Sequence, residues 1–150
     1  MARSATPYFL RFGRALAVVV LALLAVSALA APVSAADEKN VRGVVQAQLA
    51  AFAADDADKA FSYAAPNIRK SVASAAHFMA MVRGHYAVVY RPASVAFMKP
   101  ERDGNEIVQP VQMSDAEGAT WVAIYTLERQ KNKLWRITGC FVQSTNGRMV

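Results

Sequence analysis

The chain has 150 residues, of which 55% are hydrophobic, a formal net charge of +6 and one cysteine. The composition excludes a long charged disordered chain, and a single cysteine excludes a small fold held together by disulfides. The length suits one domain rather than several. These averages hide an uneven distribution, because residues 15–31 contain no charged side chain and Ser27 is their only polar residue.

The N-terminal segment has the three parts of a secretory signal peptide in order. Three arginines form a basic start, residues 15–31 form an apolar core, and residues 33–36 supply small side chains for cleavage after Ala35 or Ala36. We favour Ala36. The alternative is an uncleaved helix that anchors the protein in the membrane, because this apolar run is at the short limit for crossing about 30 Å of hydrocarbon.

Cleavage after Ala36 divides the chain into a signal peptide, residues 1–36, and a single domain, residues 37–150, that is periplasmic or secreted. Three of the 17 basic residues and none of the 11 acidic residues precede Asp37, so the mature domain is only mildly basic. Contact with a membrane is expected only if the N-terminal helix stays uncleaved.

Three amphipathic helices are predicted at the start of the mature chain. Asp37 is expected to cap the first, in which apolar residues recur at spacings of four, four and three at Val41, Val45, Leu49 and Phe52. This is the spacing of one helical face.

The second and third helices are predicted from their capping residues. Asp55 or Asp56 is expected to cap the second helix, which ends at Pro66. After a short turn, Ser74 is expected to cap the third helix, and Gly84 is placed to end it.

Beyond Tyr86, β-branched and aromatic residues replace alanine, which favours strands. Asp103-Gly104 is a strong hairpin signal, while Pro92 and Pro110 restrict the strands that contain them to edges or bulges. Four strands are predicted, over residues 88–98, 107–113, 119–128 and 134–143. The order of elements predicts an α+β domain with three helices packed on a curved four-stranded antiparallel sheet.

The sequence offers little for metal or nucleophilic chemistry. His77 and His85 are eight residues apart and have no carboxylate or cysteine at a recognised ligand spacing. Ser114 and Ser144 lack the glycines of a nucleophile elbow. The glycines of the mature chain occur singly, which does not suit a phosphate loop. We therefore predict no metal, no cofactor and no catalytic residue.

A basic hairpin near the C-terminus raises the question of nucleic acid. Arg129, Lys131, Lys133 and Arg136 lie within eight residues. Lysines at a hairpin tip commonly keep the turn soluble and discourage edge pairing. Because an exported protein seldom meets nucleic acid, we predict no nucleic-acid partner.

Polar and aromatic side chains on inward strand faces indicate a ligand pocket. Strand alternation places Gln109 in an otherwise apolar row, and Trp121 and Tyr125 share a face of the next strand. Tyr63 and Tyr86 add hydroxyl groups from the helical part. These five residues are the candidate ligand-binding set. The alternative is that they are ordinary core residues with satisfied polar ends.

Cys140 is the chain's single cysteine, between Gly139 and Phe141. Its neighbours predict a strand interior and a buried, inert thiol. A bridge to another chain is the alternative in an oxidising compartment.

Several stretches resemble a bacterial family called domain of unknown function 4864, which is similar to members of the cone-shaped superfamily named after nuclear transport factor two. They are residues 46–52, 55–56, 60–69, 81–83, 90–92, 121–128, 135–137 and 139–140. The chain departs from the family pattern at His85, where a glycine is expected, and at Lys131-Asn132-Lys133, where a tighter turn is usual.

The resemblance implies a curved sheet wrapped against three helices, with a pocket at the open end of the cone and a homodimer formed through the sheet face. It implies no known activity, because the superfamily includes isomerases, dehydratases and non-catalytic binding modules. Isomerase-like chemistry needs an acid or base inside the pocket, and no inward carboxylate is evident.

The leading hypothesis is an exported non-catalytic domain that binds a small apolar or amphipathic ligand, or a partner protein, in the cone mouth. The alternatives are a small acid/base enzyme that uses His85 or His77, and a membrane-anchored accessory domain.

Overall fold

The computed structural model describes residues 31–145. In this range five helices precede five strands. The helices are α1 (Ala35–Ala53), α2 (Ala57–Ser62), α3 (Pro66–Val72), α4 (Ala75–His85) and α5 (Ala87–Tyr90). The strands are β1 (Ser94–Phe97), β2 (Glu101–Asp103), β3 (Glu106–Ser114), β4 (Thr120–Arg129) and β5 (Trp135–Ser144). The α+β class and the antiparallel sheet are confirmed, whereas the numbers of helices and strands were wrong.

Helix α1 begins three residues earlier than predicted. Ser34, not Asp37, is the N-cap, and its hydroxyl accepts a hydrogen bond from the Asp37 N–H at 3.1 Å. Asp37 instead pairs with Arg102 at 3.1 Å, which ties α1 to β2. The expected cleavage site after Ala36 lies in the first turn of this helix, while residues 1–30 of the expected signal peptide lie outside the described residues.

Pro66 starts a helix rather than ending one. It is at the first position of α3, where the missing N–H costs nothing and the fixed φ suits a helix. The predicted short turn is therefore α3, and the second predicted helix ends at Ser62. Ser74 caps α4 as predicted, since its hydroxyl accepts from the His77 N–H at 3.1 Å. No helix within residues 31–145 combines the length and apolar character needed to cross a membrane.

The predicted first strand, residues 88–98, was largely wrong. Its start is α5, in which Val88 and Val89 are 7% and 4% exposed. Burial against the other helices overrides the β preference of these valines. Only Ser94–Phe97 remains as a strand, and the edge continues as β2 after an interruption at residues 98–100. The extra strand arises from this interruption.

The five strands form one antiparallel sheet in which β3 pairs with both β1 and β2, and β4 lies between β3 and β5. The predicted hairpin at Asp103-Gly104 joins β2 to β3, and Gly104 has a φ of 56°, which glycine adopts readily. Pro110 lies within β3 opposite the break between β1 and β2, and its carbonyl accepts from the Met98 N–H at 3.0 Å. Its missing N–H therefore faces the break and interrupts no ladder.

The core lies between the helices and the inner face of the sheet. Alternation along β3 buries Ile107, Gln109, Val111 and Met113. On the opposite side α1, α4 and α5 contribute apolar residues to the same cluster. The α2–α3 link closes one end, because Ala64 forms a parallel bridge with Ile137 of β5. This arrangement leaves a cavity where the shorter helices do not fill the space above β4 and β5.

Candidate functional site

An apolar cavity of about 290 Å³ lies between the helices and the inner face of β4 and β5. Its size is at the lower end of the range of ligand pockets in proteins. The lining residues come from α1, α3, α4, α5, the α2–α3 and α4–α5 links and the two strands, and are Gln48, Phe52, Ala64, Ile68, Ser71, Val72, Phe78, Met81, Val82, Tyr86, Val89, Tyr125, Ile137, Gly139 and Cys140.

Within the described part of the chain, none of the lining residues carries a charge at neutral pH. The side chains that offer polar atoms are those of Gln48, Ser71, Tyr86, Tyr125 and Cys140. Ser71 is exposed and Tyr86 half-buried, whereas Gln48 and Tyr125 are buried. The deep wall is thus apolar with a few uncharged hydrogen-bonding groups, the usual lining of a small-molecule site.

Gln48 is the site residue that the sequence prediction missed. It is 3% exposed on the inner face of α1, and its Nε2 donates to the Ala60 carbonyl oxygen at 3.2 Å. The signal was present in the spacing, because Val41, Val45, Gln48 and Phe52 recur at four, three and four residues. An amide in a helical stripe is easily assigned to the solvent side, and here it lines the cavity.

Tyr125 and Cys140 lie opposite each other on β4 and β5 and both line the cavity. Burial raises the pKa of the Tyr125 phenol well above its usual value, and the nearby Cys140 thiol adds to the shift. Burial likewise raises the pKa of Cys140 to about 12. The thiol is free and stays protonated at neutral pH, so it is a weak nucleophile.

The Tyr125 hydroxyl is sealed from solvent and meets no hydrogen-bond partner of ordinary geometry among residues 31–145. The adjacent thiol is a weak partner at best. Replacing Tyr125 with phenylalanine is therefore expected to leave the free energy of unfolding unchanged or to raise it by up to about 1 kcal/mol, because a buried unpaired hydroxyl is destabilising. Urea unfolding measures the effect.

The matched control is Tyr90→Phe, since the Tyr90 hydroxyl donates to Asp55. That variant should be less stable than the wild type. A Tyr125→Phe protein destabilised by more than about 1 kcal/mol would show that the hydroxyl has a stabilising partner after all.

The five predicted ligand-binding residues do not form one site. Tyr86 and Tyr125 line the apolar cavity, and Trp121 lines a second cavity of about 370 Å³ that Tyr86 also borders. Tyr63 and Gln109 line neither cavity. Of the five, Tyr86 and Tyr125 therefore share the apolar cavity, while Tyr63, Gln109 and Trp121 lie away from it.

Hydrogen bonds explain where two of these side chains point. Gln109 is fully buried as expected, but its Nε2 donates to the carbonyl oxygens of Met98 and Pro110 at 2.8 Å each, toward the break between β1 and β2. The Trp121 indole N–H donates to the Asp115 carboxylate at 3.0 Å. That bond, followed by backbone donors of the β3–β4 turn, lowers the pKa of Asp115. The hydrogen bonds of both side chains therefore stabilise neighbouring segments of the sheet.

The two histidines lie apart from the apolar cavity. His77 is exposed on α4, and His85 is exposed at the border of the second cavity. Among the described residues, no group of three or more His, Cys, Asp or Glu is arranged to hold a metal ion. Neither histidine lines the apolar cavity, so acid/base chemistry in that cavity has no support from these two residues.

A polar cluster joins the α1–α2 turn to α4 and α5. Asp55, with a φ of 54°, accepts hydrogen bonds from the Tyr90 hydroxyl, from Arg83 at 2.8 Å and from Arg91 at 3.1 Å. Arg91 also donates to the Ala53 carbonyl oxygen at 2.8 Å, and both guanidinium groups lie over the Tyr90 ring. Three of the stretches that carry the family resemblance meet in this cluster, which holds the helices together beside the cavity.

The hydrogen bond from Tyr90, followed by that from Arg83, lowers the pKa of the Asp55 carboxyl below its usual 3.8. A lowered carboxyl pKa stabilises the fold at pH values above 3.8, and the contribution disappears as the pH falls through the folded-state pKa. Asp55→Asn should thus lower the melting temperature at pH 6 and have a smaller effect at pH 2.

Thermal melts at both pH values test this expectation, with Asp58→Asn at an exposed position of α2 as the control. An equal loss at pH 6 and pH 2 would mean that the carboxylate charge is not what stabilises the cluster.

Comparison with known proteins identifies a family whose model matches most of the chain. The model of the family described as "Domain of unknown function (DUF4864)" matches residues 34–150. No curated protein matches the chain. Among solved structures, a protein described as an "NTF-2 like protein of unknown function" from Burkholderia xenovorans LB400 is 15% identical, with a TM-score of 0.45 over 71% of this chain and 84% of that one.

Proposed function

The chain belongs to the DUF4864 family, and on that premise we propose that it is an exported, non-catalytic domain whose apolar cavity binds a small apolar or amphipathic ligand. The observation that carries the proposal is a cavity of about 290 Å³ with an uncharged lining and a few buried polar groups. At roughly 30 Å³ per non-hydrogen atom, that volume suits a ligand of about ten such atoms.

The absence of an ionised group in the lining favours binding over catalysis. Proton transfer near neutral pH needs a group whose pKa lies near the working pH. The titratable groups that line the cavity are phenols and a thiol, and burial raises the pKa of both Tyr125 and Cys140. These groups suit recognition of a neutral molecule better than acid/base chemistry.

The proposal of export rests on the N-terminal sequence. Residues 1–36 have the order of a signal peptide, and residues 37–150 then form the mature domain. In this view the ligand is met in the periplasm or outside the cell.

Native mass spectrometry of the protein purified from its own compartment tests the proposal. We expect a mature chain that begins at Asp37 and carries a non-covalent small molecule, which denaturation releases. A bare chain that also fails to take up small neutral aromatic probes would overturn the binding function, and a full-length chain would overturn export.

A second proposal, compatible with the first, is a homodimer through the outer face of the sheet. Cross-strand pairing places Pro110, Ile124 and Phe141 in one row on that face, and Phe141 is 48% exposed. The same patch on two copies forms a self-complementary two-fold interface. We expect a dimer that Phe141→Glu converts to a monomer.

Sedimentation velocity measures the dimer directly. Leu134→Glu is the matched control, because Leu134 is 49% exposed but lies in the turn between β4 and β5. A wild-type monomer at the highest concentration studied would contradict the dimer.

A further inference from the structure

We infer that the cavity selects an uncharged ligand that carries a hydrogen-bond donor, such as a hydroxyl group. The side-chain oxygen of Gln48 accepts the hydrogen bond from this donor. The inference rests on the proposed function and specifies the chemical class of the ligand. Its two grounds are the uncharged lining and the free amide oxygen of Gln48.

The lining excludes a charged ligand. A carboxylate or ammonium group that enters an apolar cavity loses its hydration and needs an opposite charge within reach. Among residues 31–145, no arginine, lysine, histidine, aspartate or glutamate lines this cavity. An anionic ligand is therefore expected to bind far more weakly than its neutral counterpart.

The orientation of the Gln48 amide follows from its hydrogen bond. The Ala60 carbonyl oxygen can only accept, so the group that faces it at 3.2 Å must be the amide nitrogen. The oxygen Oε1 consequently points elsewhere, and it has no hydrogen bond with residues 31–145.

The Gln48 oxygen also keeps access to open space. In the described part of the chain, the sealed side-chain atoms without a partner belong to Arg42, Gln109, Tyr125 and Trp135, and not to Gln48. Gln48 is 3% exposed and lines the cavity, so the open space beside its amide is the cavity itself. An acceptor fixed in an apolar wall is best satisfied by a donor on the ligand.

The test compares four aromatic probes of similar size: naphthalene, 2-naphthol, 2-methoxynaphthalene and 2-naphthoate. Only 2-naphthol is both neutral and a donor. We expect the wild type to bind it at least about fivefold more tightly than naphthalene or 2-methoxynaphthalene, and 2-naphthoate at least about tenfold more weakly than 2-naphthol at pH 7. Titration followed by probe fluorescence gives the affinities.

Two variants locate the acceptor. Gln48→Met keeps the length of the side chain and removes the oxygen, so the preference for 2-naphthol should vanish while naphthalene binding stays within about twofold. Gln46→Met is the control, because it makes the same substitution at an exposed position of α1 that does not line the cavity, and it should keep the preference. If Gln48→Met does not fold, the wild-type probe series still tests the preference for a donor, and equal binding of naphthalene and 2-naphthol would overturn the inference.

The outcomes separate this inference from the function on which it rests. Equal binding of naphthalene and 2-naphthol would overturn the role of Gln48 and leave a binding cavity. A preference for 2-naphthol that persists in Gln48→Met, or that is lost equally in Gln46→Met, would overturn the assignment to Gln48. Failure of all four probes to bind would overturn both.

Discussion

Replacing Phe52 with alanine is expected to lower the free energy of unfolding by about 3–5 kcal/mol. Phe52 is 1% exposed on α1, and its ring packs against that of Phe78 with centroids 5.8 Å apart. Removal of the ring loses its burial and enlarges the cavity that it lines, so both the transfer and the cavity contributions act in the same direction. Urea unfolding measures the change.

Leu134→Ala is the control for this effect. Leu134 is 49% exposed in the turn between β4 and β5, so its truncation should change the free energy of unfolding by less than about 1 kcal/mol. If Phe52→Ala costs no more than Leu134→Ala, Phe52 is not packed in the core as described.

Replacing Val72 with tryptophan is expected to abolish ligand binding, with an affinity loss of more than about tenfold for 2-naphthol. Val72 is half-buried at the end of α3 and lines the cavity, so an indole there occupies the space of the ligand. Because the position is partly exposed, the larger side chain can be accommodated with less strain than in a sealed core. Fluorescence titration of the probe and a thermal melt of each protein measure binding and folding separately.

Lys70→Trp adds the same indole to α3 at an exposed position that does not line the cavity. This control should bind the probe with wild-type affinity. Equal binding by Val72→Trp and Lys70→Trp would place the ligand outside the cavity.

The fold class could be predicted because helix caps and hairpin turns depend mainly on the residues at those positions. Ser74 at the start of α4 and Asp103-Gly104 between β2 and β3 acted as their residue types predict. Val88 and Val89 did not, because contacts with distant residues decide whether a β-branched pair forms a strand or a buried helical turn. Pro66 is ambiguous in sequence, since proline both ends one helix and starts the next.

The site was harder to predict than the fold. Alternation along a strand predicts which face of the sheet a residue lies on, but it does not predict the direction in which a long side chain extends from that face. Tyr125 was correctly placed inward and lines the cavity. Gln109 was also correctly placed inward, yet its amide turns to the Met98 carbonyl, which no local pattern reveals. Gln48 was overlooked because the apolar spacing of α1 does not by itself show whether this amide faces the core or the solvent. That choice depends on how the helix is rotated about its axis.

A crystal structure of the protein purified from its own compartment tests the central claim most directly. We predict electron density for a small uncharged molecule between the helices and β4–β5, with a polar atom within hydrogen-bond distance of the Gln48 Oε1. Density for water alone in that cavity, or a ligand bound elsewhere on the domain, would contradict the account.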